Sequence, residues 1–321
     1  MGNSVIAPDW ALDAGTPELL VSPLTHLGLI AVTGEQNRTF VHGQVTADIT
    51  GLGANDWRWS AHCDARGKMW SAARVFMQGD TLMMLLPKDT LALDLPEFKK
   101  YAVFSKAELT DASSDFAIYG VAGSQASQWL ADNVSQFDAS AAVSQLDNGV
   151  ILQDGERFIV VLATAAAASL FADVQQYDAL AWRALEIQAG YPNVPAAHQG
   201  QFVPQMCNLQ AVGGISFTKG CYMGQETVAR MKYRGGNKRA LYVIKGHSAA
   251  TITLDSQLEI ALDDGFRPVG AIIEVAQQGE LVLLTAVLPN DTEVGAKLRV
   301  AGDDSSELTV QPLPYSLEEY S

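Results

Sequence analysis

Residues 201–241 read QFVPQMCNLQAVGGISFTKGCYMGQETVARMKYRGGNKRAL, and the parsing of that stretch decides the fold. Gly213-Gly214 marks a loop, and Ile215-Ser216-Phe217 reads as a short apolar strand. Lys219-Gly220-Cys221-Tyr222 follows, and Gly224-Gln225-Glu226 opens a helix predicted to run to about Tyr233. Arg234-Gly235-Gly236-Asn237-Lys238-Arg239 is then a basic turn into a region of different character. A thiol just ahead of a helix N-terminus, beside a lysine, sits where the thiolate is favoured. The plainer reading of Cys221 is a buried cysteine acting as a small hydrophobe.

Downstream of this stretch, alternating runs at Leu241–Ile244, Thr251–Leu254, Ala271–Val275, Leu281–Val287 and Lys297–Val300 are separated by Gly, Asp and Asn turns. They predict a small all-β unit, a barrel. Upstream, Asp178–Ala189 has a helical apolar stripe, an Asp cap, Gly190 as its stop and Pro192 beyond. Phe116–Asp178 mixes predicted strands (Phe116–Ala122, Val150–Leu152, Phe158–Leu162) with helices at Ser124–Asn133, capped by Ser124, and Thr164–Gln175. The first part offers an apolar run at Leu27–Val32 and a helix within Glu35–Val45. Trp57–Cys63, Lys68–Met77 and Thr81–Leu86 then make a three-stranded meander. Lys88–Lys99 reads as a helix kinked or split by Pro96, and Val103–Thr110 as a strand. The whole is α+β.

The chain of 321 residues is 48% hydrophobic, enough for two or three domains. It has no apolar run long enough to cross a bilayer, and MGNSVIAPDW lacks the basic and apolar regions of a secretory signal. Met1-Gly2 does not continue as a myristoylation motif, since Ile6 stands where Ser or Thr is wanted. Three scattered cysteines (Cys63, Cys207, Cys221) fit a reducing compartment, and a cytoplasmic protein is expected. A net charge of −15 argues against generic nucleic-acid binding. Yet Lys219–Arg239 holds six basic residues and one acid, Glu226, a concentrated patch suited to a specific anion or a docked RNA.

The run Lys219-Gly220-Cys221-Tyr222-Met223-Gly224-Gln225-Glu226 resembles the K-G-C-Y-x-G-Q-E signature of the YgfZ family. Phe202-Val203-Pro204-Gln205 with Asn208-Leu209, Val228-Ala229-Arg230 and Arg234–Arg239 resemble its flanks. So do Gly43–Asp48, Ala61–Trp70, Lys99–Lys106 and the ending Pro312–Glu319, so the resemblance spans nearly the whole chain. That family is related in fold to the T protein of the glycine-cleavage system, a tetrahydrofolate-dependent aminomethyltransferase. The resemblance implies a three-domain aminomethyltransferase-like fold around a central folate cavity with a C-terminal β-barrel. Its units are residues 1–112 with 200–239, 113–199, and 240–321. It also implies a folate-binding accessory protein of tRNA methylthiolation and iron–sulfur enzyme maintenance, with those iron–sulfur enzymes as partners and Cys221 as the functional thiol.

The same resemblance assigns further roles. Lys219 would lower the Cys221 pKa or bind a glutamate carboxylate of folate. Trp182, on a helix similar to the family's folate-contacting one, would stack on the pterin, though a tryptophan is equally at home in a core. Leu27 stands where the family can place a second folate-contacting tryptophan and offers apolar contact without stacking. Glu186 and Arg230 would meet the pterin ring and glutamate tail, with a solvated helix face as the competing reading for both. Gln225 and Glu226 would cap their own helix, and Glu226 would alternatively pair with a pterin amide. Cys63 and Cys207 are expected to be structural, and His62 has no visible partner in a Ser/His/Asp set.

Two other readings compete. A one-carbon transferase needs a carboxylate beside the folate, for which Asp48 and Asp64 are available. An RNA-binding module would use Lys219–Arg239, where the aromatic interleaving is limited to Tyr222 and Tyr233.

Overall fold

Short strands are the commonest regular element of the chain. The computed structural model describes residues 4–317, so Met1-Gly2 and the final Glu318-Glu319 of the quoted ending lie outside the described residues. The chain begins with β1 (Val5–Ile6), β2 (Leu20–Pro23), β3 (Leu27–Thr33) and α1 (Asn37–Gln44). The expected meander follows as β4 (Trp57–Cys63), β5 (Met69–Gln78) and β6 (Thr81–Pro87), then α2 (Lys88–Ala102) and β7 (Glu108–Asp111). The first sheet has the order β4-β5-β6-β3-β7, antiparallel throughout.

β3 is buried on both faces, which explains its unbroken apolar run. Leu29 and Ala31 enter one core, while Ile30 and Val32 enter another shared with Leu91, Leu95 and Phe98 of α2. That helix is not split at Pro96. Pro96 deprives the Ala92 carbonyl of its amide partner, but both residues are exposed, so water satisfies the carbonyl. The strand expected from Val103 starts only at Glu108, where the edge of β3 becomes available. Residues 103–106 instead form a turn that leaves Val103 71% and Phe104 100% exposed.

The second sheet comprises β8 (Phe116–Ala122), β9 (Val143–Leu146), β10 (Gly149–Asp154) and β11 (Arg157–Ala163), ordered β2-β8-β11-β10-β9. α3 (Ala126–Asn133) and α4 (Thr164–Leu170) pack beside it, and β12 (Gln176–Tyr177) pairs in parallel with β1. α3 is capped by Gln125 in place of Ser124 and has no side-chain cap bond. Residues 5–23, grouped with the first unit from the sequence, thus pair with strands of the second. The arm between β1 and β2 also reaches the last unit. Gln278 accepts from the Leu12 amide, 266 residues away, and donates to the carbonyls of Pro8 and Trp10, while Lys245 lies 2.8 Å from Asp13. α5 (Ala179–Gln188) is capped as expected, Asp178 accepting from the Leu180 amide, and Gly190 ends it with φ +62°.

After α6 (Gln225–Tyr233) come β13 (Arg239–His247), β14 (Leu258–Leu262), β15 (Gly265–Val269), β16 (Ala271–Gln278), β17 (Leu281–Pro289), β18 (Lys297–Val300) and β19 (Glu307–Val310). They form one antiparallel sheet ordered β15-β14-β18-β19-β13-β17-β16. Its two edges are consecutive in the chain and joined by Gly270 alone, at φ +64°. A Cβ there would come within 2.4 Å of Leu288. Val269 beside that corner and Ile272 beyond it share a single core with Leu284, Leu298 and Leu308. Thr251–Leu254, expected as a strand, is irregular.

Candidate functional site

The motif loop is held by backbone contacts. The Ser216 amide donates to the Thr46 carbonyl, and Thr46 Oγ1 donates to the Gly214 carbonyl. Lys219 Nζ donates to the carbonyls of His42, Val45 and Ala47, which gathers acceptors at the C-terminal end of α1. Burial pushes its pKa down to about 8 against the pull of Asp48. With its three protons so engaged, Lys219 holds the loop in place and has no donor left for a folate carboxylate.

Tyr222 is buried in the core under the lysine, and Gly224 docks on the turn after β4, where an added Cβ would lie 2.7 Å from Gly67 Cα. Between these anchors Cys221 is exposed, whereas Cys63 and Cys207 are buried. Burial drives the Cys207 thiol up to about 12 and the Cys63 thiol higher still. Gln225 opens α6 without capping it, since Gly224 is the N-cap in the left-handed region. Glu226 is exposed and pairs with Arg230 at i+4, 2.5 Å away.

A second group surrounds α5. Trp182 is fully buried, so close to Gly120 that a Cβ there would meet the indole at 2.2 Å, and Arg157 lies over its ring at 5.0 Å. Leu27 shares that core. Neither offers an open face in this conformation. Glu186 is buried between two arginines: Arg74 donates to it at 2.8 and 2.9 Å, and Arg157 lies at 3.1 Å. Burial opposes its ionisation, but the two guanidinium ions prevail and hold its carboxyl below the usual glutamate range. Asp154 neutralises the second guanidinium at 3.0 Å and accepts from Tyr191. Arg74 also lies over the Trp59 ring at 4.3 Å.

Two arginines and two carboxylates leave no cation for the next acid. Glu274 on β16 shares the Asn193 amide with Glu186, at 3.1 and 3.2 Å, and its nearest cation is Arg183 at 3.8 Å. Burial and the Glu186 charge push it up to about 7. Glu274 and Arg183 line a cavity of about 590 Å³ where the three parts of the chain meet. His26, Lys88 and Leu254 also line it. Burial, with the Arg183 charge, lowers His26 to about 4, and its Nδ1 has no hydrogen-bond partner. A cavity of about 880 Å³ flanks the same ionic cluster on the side of Asp154, Arg157 and Tyr191. Neither cavity is lined by any residue of 219–230.

The expected site residues therefore fall into two groups: Leu27, Trp182 and Glu186 within the interior, and Lys219, Cys221, Gln225, Glu226 and Arg230 along the motif. Sequence reading passed over Arg74 and Glu274. A lone arginine inside the apolar strand 71–77 is a signal in itself, because a buried cation demands a partner. His62 does have a partner. Its Nδ1 lies 2.6 Å from Asp94 Oδ1, Ser71 Oγ donates to Asp94 Oδ2 at 2.5 Å, and the ring stacks on Phe98. Serine and histidine meet on the carboxylate and not on each other, which lacks the nucleophile–base contact of a hydrolytic triad. Among the described residues no cluster of three or more His, Cys, Asp or Glu is placed to hold a metal, and no helix is long and apolar enough to cross a membrane.

The fold is aminomethyltransferase-like. It superposes on the aminomethyltransferase T of the glycine cleavage system from Bartonella henselae with a TM-score of 0.72, over 96% of this chain and 90% of that one, at 15% identity. Residues 237–304 match the family described as YgfZ, beta-barrel domain. The chain is 42% identical over 315 residues, 95% of each sequence, to the tRNA-modifying protein YgfZ of Yersinia pestis (strain Pestoides F). It is 41% identical over 312 residues, 94% of each, to that of Serratia proteamaculans (strain 568). The chain belongs to the YgfZ family.

Proposed function

We propose that this chain is a cytoplasmic, folate-binding accessory protein of tRNA modification that supports iron–sulfur enzymes of tRNA methylthiolation. The observation that carries the reading is the 42% identity, over 95% of both sequences, with a tRNA-modifying YgfZ. The exposed Cys221, held between the Lys219 and Gly224 anchors while its two fellow cysteines are buried, supports a role for that thiol.

The central cavity of about 590 Å³ suits a folate in size and in chemistry at both ends. Glu274, an acid short of a cation, can accept from the donor edge of a pterin, and Arg183 and Lys88 can meet the glutamate carboxylates. Pro87, Ile252 and Leu254 give apolar walls, and no Phe, Tyr or Trp side chain lines the cavity. Folate would supply one-carbon or redox chemistry when bound, while this chain's residues orient it and exclude water.

Titration with tetrahydrofolate tests the cavity, with a Glu274→Gln variant alongside. Saturable quenching of tryptophan fluorescence in the parent and at least ~10-fold weaker binding in the variant are expected, the size of one lost charge-assisted hydrogen bond. A parent that does not bind removes folate from the proposal. The thiol is tested in a deletion strain: full restoration of tRNA methylthiolation by Cys221→Ala would sink its role.

A further inference from the structure

α2 buries one face and leaves the other without a partner. Leu91, Leu95 and Phe98 pack into the core of the first sheet, while Ala92, Leu93, Pro96, Lys99 and Lys100 lie on the outer side and are exposed. The apolar stripe continues through Val103 and Phe104 into the turn that ends the helix. Ten large hydrophobic side chains are exposed among the described residues, and Leu93, Tyr101, Val103 and Phe104 are four of them. Single exposed hydrophobics need no explanation, but four within about three helical turns make a patch. The Phe104 ring is wholly exposed, and aromatic side chains of this kind are enriched where proteins meet.

The charges around the patch point to what covers it. Lys99, Lys100 and Lys106 stand beside Glu35, Glu97 and Glu108, so the rim carries both signs. An RNA strand or an anionic lipid surface is attracted by an excess of positive charge, which this rim lacks. Lys100 is matched by Glu97 at 2.6 Å and Lys106 by Glu35 at 2.8 Å, whereas Lys99 meets no carboxylate among the described residues. Along α2 the order of these groups is its own complement. Counted outward from Phe98, Glu97 before it corresponds to Lys99 after it, Leu93 to Val103, and Ala92 to Phe104. Two antiparallel copies related by a two-fold axis at that level set each residue against its counterpart, because in such a contact residue i meets j and j meets i.

We propose that the outer face of α2 is the surface by which two copies of this chain pair, each α2 lying antiparallel to that of the other copy. Ala92 and Leu93 of one copy pack on Phe104 and Val103 of the other, and Glu97 of each faces Lys99 of the other. The two apolar ends of the seam flank its charged middle. Each copy carries a net charge of −15, which opposes association at long range, so the pair forms at micromolar and not nanomolar concentration. The pairing is independent of the folate reading, since no residue of 92–104 lines the central cavity.

Sedimentation velocity of the full chain over about 1 to 300 µM is the test, the range in which a small apolar interface is populated. The parent should pass from monomer to dimer. Phe104→Asp should weaken pairing at least ~30-fold and leave the melting temperature unchanged, because that side chain is fully exposed in the single copy. Glu97→Lys and Lys99→Glu should each be monomeric alone, since each sets two like-charged pairs across the axis. Their equimolar mixture should restore the dimer, since both crossed pairs are then of opposite sign. A parent that stays monomeric to about 300 µM overturns the proposal. So does a dimer that survives Phe104→Asp, or a mixture of the two charge variants that stays monomeric. A monomeric chain whose Phe104→Asp variant keeps its melting temperature but fails to restore tRNA methylthiolation in a deletion strain would give this face to a different protein, and equally overturns it.

Discussion

Glu274 is only partly ionised at neutral pH, where a surface glutamate would be fully so. Its ordinary value is 4.5 and burial beside Glu186 raises it to about 7. At Glu274 the folded state therefore binds more protons than the unfolded state between those values, so the stability this group contributes is full below about pH 4.5 and is lost as pH rises to about 7, on the order of 3 kcal/mol. Glu274→Gln should match the parent melting temperature near pH 4.5 and exceed it at pH 8; parallel curves would show that Glu274 does not titrate in this range. Lys219 and Cys221 are two residues apart and should behave oppositely. Lys219→Met strands three buried or half-buried carbonyls and should cost about 2–4 kcal/mol, whereas exposed Cys221→Ala should leave the melting temperature unchanged within about 0.5 kcal/mol. Trp182→Ala should destabilise by about 3–5 kcal/mol, the penalty of a large core truncation, so loss of folate binding in that variant would report unfolding as readily as a lost contact.

At the scale of elements, α2 contains an unneeded defect. Pro96 is exposed in its interior, and Pro96→Ala returns an amide to the Ala92 carbonyl; a gain of about 1–3 kcal/mol is expected in urea unfolding. Elements with a strong pattern were legible from sequence. The alternation at Trp57–Cys63 and the Asp178 cap and Gly190 stop of α5 lie within a residue of their expected places. Elements whose existence depends on a distant partner were not. β7 starts where β3 can pair with it, β9 is half polar and owes its strand character to β10, and Thr251–Leu254 alternates but finds no neighbour. The motif was visible as a motif, yet the work of Lys219 depends on where α1 ends, and no local spacing encodes that.

Across the whole molecule, the central cavity is assembled from widely separated segments, with His26, Arg183 and Glu274 brought together by long-range packing. Charge balance there is a property of the assembly: Arg74 from the first sheet, Arg157 and Asp154 from the second, and Glu186 from α5 neutralise one another and leave Glu274 out. Nothing in the sequence alone pointed to Glu274 or to the Asn193 amide that couples it to Glu186. The N-terminal arm has the same non-local character, and it meets its partners in an order set by the ribosome. The Leu12 amide is made early, while its acceptor Gln278 follows 266 residues later. At roughly 5–20 residues per second, the arm waits on the order of 15 to 50 s for the strand that receives it. Until translation is nearly complete, the Leu12 amide and the carbonyls of Pro8 and Trp10 lack the Gln278 side chain that ties all three together in the folded chain, so the arm is fastened only at the end of synthesis.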